Sequence, residues 1–163
     1  MNNTSRIGAA ATHLVCASLL LEGYNAFLAP EGCHYDVVVD LGVRLLRVQV
    51  KASSKATARP NRPAIVGYQF TSSRNHRPEK VGGKSIIKRY KPEIVDVIAF
   101  VGLDIKAVAY FAVTNEFVHA MWLYPPGTPT FMRGKKEQRR CIDQFPFKAA
   151  LAAHTGKPTL GWI

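Results

Sequence analysis

The feature that most constrains the fold of this chain is a pair of apolar segments joined by a glycine turn. Residues 35–40 are a β-branched run, Leu41-Gly42 reverses the chain, and residues 43–50 form a second extended segment. Strand-forming runs that flank a short glycine turn are typical of an antiparallel hairpin. The sequence therefore predicts a β-hairpin over residues 35–50.

The second strand of this hairpin carries polar side chains at alternate positions. Because side chains along a strand alternate between its two faces, Arg47, Gln49 and Lys51 are predicted to share one face. Val48 and Val50 are predicted to lie on the other face. Gln49 and Lys51 therefore point in the same direction.

Further elements are predicted on both sides of the hairpin. Apolar residues between Ile7 and Leu21 recur at helical spacing, and a short strand is expected over residues 24–29. Three later strands are predicted over residues 64–71, 95–101 and 107–113. Residues 51–63 are expected to be an irregular basic loop, residues 72–91 a mobile loop, and the stretch after Pro125 a less regular tail.

Length and composition indicate a single globular domain over residues 1–163. The chain is 47% hydrophobic and 20% charged, which supplies one well-buried core. The apolar stretch 9–21 is interrupted by Thr12, His13 and Ser18, so we expect neither a membrane-spanning helix nor a signal peptide. We therefore expect a soluble, cytoplasmic protein without a membrane partner. The three cysteines show no CxxC spacing and are expected to be free thiols.

The charge of the chain favours a polyanionic partner. Lys and Arg number 22 against 11 Asp and Glu, which gives a formal charge of +11. Glu79 is the one acid between residues 51 and 91, and the bases there alternate with residues that suit loops along a phosphate backbone better than a membrane helix. The candidate DNA-binding residues are Lys55, Arg59, Arg62, Arg74, Arg77, Lys80, Lys84, Lys88 and Arg89. A second basic cluster spans residues 133–140. The alternative for both basic clusters is a solvent-exposed surface without a specific partner.

The hairpin also carries a set of groups suited to phosphodiester hydrolysis. That reaction needs a divalent metal and a nearby cation. Asp36 supplies a carboxylate, Gln49 an amide oxygen, Lys51 an ammonium group and Val50 a carbonyl, and oxygen ligands are those that Mg²⁺ prefers. The bland alternative is a structural ion pair between Asp36 and Lys51 that needs no metal.

Spaced residues over roughly positions 6–118 form a recognisable frame. Its main parts are Arg6-Ile7-Gly8, Gly23-Tyr24, Pro30, Tyr35-Asp36 and Gln49-Val50-Lys51. This frame resembles the PD-(D/E)XK nuclease superfamily, and the Gln-x-Lys form resembles its group I intron homing endonucleases, with archaeal Holliday junction resolvases as more distant relatives. The resemblance implies an α/β fold with a mixed (α+β) sheet: a restriction-endonuclease-like core with an N-terminal helix and a β-hairpin that carries the site. Residues 119–163 lie outside it, as a tail or C-terminal extension.

The resemblance also implies roles for individual residues. Asp36 would be the metal-binding aspartate, Gln49 would take the second acidic position and Lys51 would be the catalytic lysine. The metal ligands would be Asp36, Gln49 and the Val50 carbonyl, and the ion would be Mg²⁺, with Mn²⁺ as an alternative.

One family residue is missing. The family usually carries a glutamate on the first helix, and the corresponding positions are Ala11 and Thr12. Three explanations stay open: the position is dispensable, the residue has been lost, or His13 has taken part of its role.

The function expected from these features is metal-dependent endonucleolytic cleavage of duplex DNA by a homodimer or homotetramer, with residues 107–123 as a candidate contact surface. Two alternatives stay open: a resolvase of Holliday junctions or other branched DNA, and a catalytically impaired nuclease fold that binds DNA. Four residues, Trp122, Tyr124, Pro125 and Pro126, either stack on bases or close the core, and the core is the favoured position.

Overall fold

A computed structural model of the chain describes residues 3–59, 62–71, 79–81, 84–86, 90–114, 120–129 and 139–155. Its elements follow the chain as α1 (Asn3–Leu21), β1 (Asn25–Leu28), β2 (Val37–Asp40), β3 (Leu45–Ser53), β4 (Thr57–Arg59), β5 (Arg62–Thr71), β6 (Glu79–Val81), β7 (Lys84–Ile86), β8 (Val97–Gly102), β9 (Ala107–Ala112), β10 (Ala120–Leu123) and α2 (Phe147–Thr155). A short 3₁₀ turn at Ile142–Gln144 precedes α2.

The central sheet has five strands in the order β1-β2-β3-β8-β9. β3 and β8 are parallel, whereas the other neighbours are antiparallel. A second antiparallel sheet has the order β10-β5-β4, and β6 pairs with β7. The N-terminal helix, the β2–β3 hairpin and the mixed sheet confirm the predicted fold class.

The two faces of the central sheet bury different partners. On one face α1 and α2 pack against the apolar side chains of β2, β3 and β8, with Val15, Val48 and Phe147 fully buried. On the other face the second sheet contributes Tyr68 and Phe70 to a separate core. All six residues of β8 are buried, as expected for a strand covered on both faces. The hairpin strand β3 is thereby fixed between two packed layers.

Three sequence-based expectations need correction. The loop predicted over residues 51–63 was wrong, because β3 continues to Ser53 and β4 begins at Thr57. The loop predicted over residues 72–91 was wrong for 79–81 and 84–86, which pair as β6 and β7. Short, basic strands lack the apolar alternation that would predict them. After Pro125, α2 packs against β9 and buries Phe147, so the tail is not wholly irregular.

Helix α1 begins at Asn3 and is therefore longer than the apolar stretch 9–21 that the sequence suggested. Over its 19 residues it is long and apolar enough to cross a membrane, a test that we expected residues 9–21 to fail. The core helix of a soluble protein passes the same test, and one such helix is weak evidence for a span. Ala11, Val15 and Leu19 of α1 are fully buried in the core against the central sheet.

Candidate active site

Asp36, Gln49 and Val50 lie together at one end of the β2–β3 hairpin. The Asp36 backbone N–H donates to the Val48 carbonyl at 2.9 Å, which continues the hairpin pairing one residue beyond β2. The Asp36 carboxylate then accepts the backbone N–H of Val50 at 2.7 Å through Oδ2. The same Oδ2 accepts a hydrogen bond from the Gln49 side-chain amide. The register of the hairpin therefore holds this carboxylate over β3.

The alternation predicted for β3 is confirmed. Val48 and Val50 are buried, whereas Arg47, Gln49 and Lys51 between them are half-buried. The spacing of polar residues thus places Gln49 and Lys51 on one side of the strand, as the sequence indicated.

The Gln49 amide marks a point on which two oxygen atoms converge. Its Nε2 donates to Asp36 Oδ2 and also lies 3.2 Å from the Val50 carbonyl oxygen. A carboxylate and a carbonyl that face one polar hydrogen donor are also oriented to bind a small hard cation. These residues therefore fit a magnesium-type ligand set. Among the described residues, no three His, Cys, Asp or Glu side chains are grouped closely enough to hold an ion by themselves.

The surroundings of Asp36 and Lys51 disfavour the charged forms of both side chains. Burial raises the pKa of the Asp36 carboxyl, and the Val50 N–H, the Lys51 charge and the Gln49 amide offset this only in part. Burial likewise lowers the pKa of the Lys51 ammonium, against the opposing effect of Asp36. The Lys51 Nζ lies 5.3 Å from the centroid of the Tyr90 ring. Perturbed pairs of this kind are typical of functional sites.

The alternative of a direct structural ion pair between Asp36 and Lys51 is not supported. Within the described ranges, Asp96 forms an ion pair with Arg47, and its Oδ1 lies 3.5 Å from the Nε2 of His154. Asp36 and Lys51 interact as charges at longer range.

A cavity of about 480 Å³ opens beside this cluster. Asp36, Gln49 and Val50 line it together with one side of α1. Thr12 lines this cavity, whereas Ala11 is fully buried in the core. Of the two positions for the missing helix glutamate, Thr12 is therefore the one that faces the site.

The sequence analysis missed a second carboxylate at this cavity. Glu31 lines it from the turn between β1 and β2, as does His13 from α1. The Pro30 and Gly32 that flank Glu31 predict only a turn, so the local sequence gives no signal of its position. The turn is tied to the site because the Ala29 N–H donates to the Asp36 carbonyl at 2.9 Å.

The structure describes part of the predicted DNA-binding set. Lys55 and Arg59 are exposed, Lys55 in the connection between β3 and β4 and Arg59 at the end of β4. Arg62, Lys80 and Lys84 belong to β5, β6 and β7. The remaining four residues, Arg74, Arg77, Lys88 and Arg89, lie outside the described residues.

Comparison with known proteins gives a family match and a structural match. The family model "PD-(D/E)XK endonuclease" matches residues 2–122. Among solved structures, a bacterial homing endonuclease, I-Ssp6803I, is similar with a TM-score of 0.62 and 19% identity, over 83% of this chain and 86% of that one. At this identity the likeness shows a common fold. No curated protein sequence matches the chain. The family match confirms the resemblance inferred from the sequence.

Proposed function

Since the chain belongs to the PD-(D/E)XK endonuclease family, we propose that it is a metal-dependent endonuclease that hydrolyses phosphodiester bonds in duplex DNA, in the manner of homing endonucleases. The observation that carries this proposal is the convergence of Asp36 Oδ2 and the Val50 carbonyl on the Gln49 amide. The cavity beside them gives a substrate access.

Asp36, Gln49 and the Val50 carbonyl would hold the metal, Mg²⁺ or in its place Mn²⁺. When bound there, such an ion activates water for attack and neutralises charge on the phosphate. The Val50 N–H fixes the orientation of the Asp36 carboxylate at 2.7 Å. Rotation of the Gln49 amide by about 180° would exchange its N–H donors for its oxygen and turn it from a donor into a ligand.

Lys51 would stabilise the negative charge that develops on the phosphate during the reaction. Its ammonium lies on the same side of β3 as Gln49, where it orients the attacking water and balances charge that develops on the phosphate oxygens. Because burial lowers its pKa, this cation gains more from an approaching phosphate than an exposed lysine would.

The assembly follows from the substrate. Asp36, Gln49 and Lys51 form one site, so we expect a homodimer or a homotetramer to cut both strands of a duplex. Residues 107–123, which include β9 at the edge of the central sheet, are the proposed contact surface. A cytoplasmic location is part of the same proposal.

A second function is favoured by Thr12. A threonine faces the cavity where the family resemblance expects a glutamate, which leaves Asp36 with fewer anionic partners for a metal. The chain would then bind DNA through the same fold with little or no cleavage.

The test is cleavage of supercoiled plasmid and of synthetic branched DNA with Mg²⁺, Mn²⁺ or EDTA. We expect metal-dependent cutting that Lys51→Ala abolishes and Lys148→Ala leaves unchanged, because Lys148 is exposed on α2. Preferential cutting of the branched substrate would select the resolvase. Tight DNA binding without any cutting, by this chain and by its Thr12→Glu variant, would overturn the catalytic proposal in favour of the binding function.

A further inference from the structure

The second sheet presents a polar face on the side away from the core. On β5 and β10, Tyr68, Phe70 and Leu123 point inward and are buried. The alternate residues Gln69 and Thr71 are exposed. We call this the outer sheet face and define it by Thr57, Arg59, Gly67, Gln69, Thr71 and Trp122.

Trp122 lies flat on this face. A Cβ atom at Gly67 would collide with Trp122 Nε1 and would stand 2.8 Å from the Leu123 carbonyl oxygen. A residue with a side chain at position 67 would therefore displace the indole ring. Trp122 is half-buried, so it is not the core residue that the sequence favoured.

Two arginine side chains lie over aromatic rings along β10 and its continuation. The Arg59 guanidinium is 5.6 Å from the centroid of Trp122, and that of Arg139 is 5.5 Å from the centroid of Tyr124. Tyr124 follows β10 and forms a parallel bridge with Cys141, which brings Arg139 alongside. Positions two apart on a strand are separated by about 7 Å, so the two aromatic residues are neighbours along the chain.

These arginines are held without a charge partner among the described residues. Neither forms an ion pair with a described acid, since the arginine ion pair in the described part of the chain joins Arg47 to Asp96. Arg139 Nη1 donates to the Pro129 carbonyl at 3.2 Å, and its Nε is buried and makes no hydrogen bond. Stacking on a ring orients a guanidinium in advance and leaves N–H groups at its edge for an anion.

We propose that the outer sheet face, together with Arg139 beside Tyr124, binds the sugar-phosphate backbone of DNA next to the cleavage site, with Arg59 and Arg139 contacting phosphates. This proposal rests on the proposed function and identifies the surface that holds the substrate. Planar guanidinium groups match phosphate oxygens, and hydroxyl and amide side chains such as Thr57, Thr71 and Gln69 also make backbone contacts. β4, which carries Thr57 and Arg59, follows in the chain directly after β3, the strand that carries Lys51.

The charge of the face selects this partner over the alternatives. A protein-docking or membrane surface would be expected to expose large apolar side chains. The one large apolar residue that the structure describes as exposed on β4, β5 or β10 is Val66, on the inward side of β5. Cations, hydroxyls and a flat ring without a described acid complement a polyanion.

The experiment measures the affinity of a fluorescent duplex by anisotropy in EDTA, where no cutting occurs, at several salt concentrations. Arg59→Ala and Arg139→Ala are each expected to weaken binding about tenfold, as for a lost charge-assisted hydrogen bond. Each should also reduce the slope of log affinity against log salt by about one. Arg59→Lys, which keeps the charge but not the planar guanidinium, is expected to have an affinity between those of the unmodified chain and Arg59→Ala. The matched control is Arg44→Ala, on the exposed turn between β2 and β3, with affinity unchanged.

A second readout does not depend on the arginine variants. The chain has two tryptophans, so in a Trp162→Phe protein Trp122 is the one fluorophore of this type. Saturating duplex is expected to protect Trp122 from acrylamide quenching at least about twofold, as an interface buried by DNA would. Unchanged quenching and unchanged affinity in the Arg59→Ala/Arg139→Ala protein, with DNA still bound, would overturn this surface alone. An equal loss in Arg44→Ala would overturn it too, whereas no DNA binding by the unmodified chain would overturn the proposed function as well.

Discussion

Two polar clusters each include residues of β3, and the protein favours the charged forms of the side chains in one cluster and disfavours them in the other. The anchoring cluster consists of Arg47, Asp96 and His154, and the site cluster consists of Asp36, Gln49 and Lys51. In the anchoring cluster the Arg47 Nε and backbone N–H donate to Asp96 Oδ2 at 2.9 and 2.8 Å. The Arg47 Nη2 donates to Asp96 Oδ1 at 3.0 Å.

These contacts keep the anchoring cluster charged. Burial acts to raise the pKa of Asp96, but the hydrogen bonds and charge of Arg47 outweigh it and lower that pKa. The hydrogen bonds that the Arg47 side chain donates to Asp96 raise the pKa of Arg47 in turn. Arg47 also donates to the carbonyls of Pro92 and Glu93, which ties the segment before β8 to β3. Its charges are balanced inside the protein.

The site cluster has no such balance. The pKa of Asp36 is raised and that of Lys51 is lowered, in both cases mainly by burial. The difference teaches that the fold favours the charged forms in one cluster and disfavours them in the other, a contrast that is common at functional sites. The first cluster supports the sheet, and the second is the one that we propose for the chemistry.

The largest expected effect is on the site cluster. Asp36→Asn removes the carboxylate from the proposed ligand set, so Mn²⁺ affinity measured by isothermal titration calorimetry should fall at least about 100-fold. A variant with wild-type Mn²⁺ affinity would show that Asp36 is not a ligand.

The same substitution should not lower stability at neutral pH. Because folding raises the pKa of Asp36, the stability that its protonation contributes is present at acid pH and is lost as the pH rises through that pKa. The asparagine that replaces it stays neutral throughout. Urea unfolding should therefore show a free energy for Asp36→Asn that equals or exceeds wild type at pH 7, with the advantage shrinking toward pH 3. A clear loss at pH 7 would place Asp36 among the anchoring residues.

Asp96→Asn is expected to have the reverse profile. Removing one partner of a buried pair costs about 3 kcal/mol or more. The Arg47 side chain is 30% exposed, so solvent screening reduces the expected loss to about 2 kcal/mol, or a melting temperature lower by about 4–8 °C. Since the pKa of Asp96 is lowered on folding, its contribution is lost as the pH falls through that value, and the deficit should shrink in acid. A deficit independent of pH would argue against an ionic anchor.

A smaller effect is expected on restoring an acid to the helix. Thr12→Glu places a carboxylate at the cavity and should raise Mn²⁺ affinity about tenfold, at the lower end of effects seen around metal sites. Ala11→Glu is the matched control, because Ala11 is fully buried and a charge there should destabilise the protein without strengthening metal binding. Equal gains from both variants would contradict the assignment of Thr12.

The smallest expected effect is a shift in the pH at which the cleavage rate declines on the alkaline side. The protonated form of Lys51 is the one that balances charge, and its pKa lies below the ordinary lysine value. The rate should therefore decline at a lower pH than an exposed lysine would give, and Lys51→Arg should move that decline upward in whatever activity it retains. A decline that does not move would be assigned to another group.

The sequence could predict the site cluster because its contacts are local. Gln49 and Asp36 are 13 residues apart and are brought together by a single hairpin, whose turn and alternation are visible in the sequence. The family resemblance then added the roles of these residues.

The anchoring cluster could not be predicted in the same way. Asp96 is 49 residues from Arg47 and meets it only because β8 lies parallel to β3. The packing of α2 and the position of Glu31 also depend on contacts between distant segments, for which a single sequence carries no period or spacing.

The most direct test compares Asp36→Asn with Asp96→Asn for Mg²⁺-dependent plasmid cleavage at a temperature where both proteins remain folded. The account predicts that Asp36→Asn loses at least about 100-fold in rate, whereas Asp96→Asn cuts within about threefold of wild type, since it acts on stability and not on the ligands. Cutting by Asp36→Asn at the wild-type rate would contradict the assignment of this cluster as the active site.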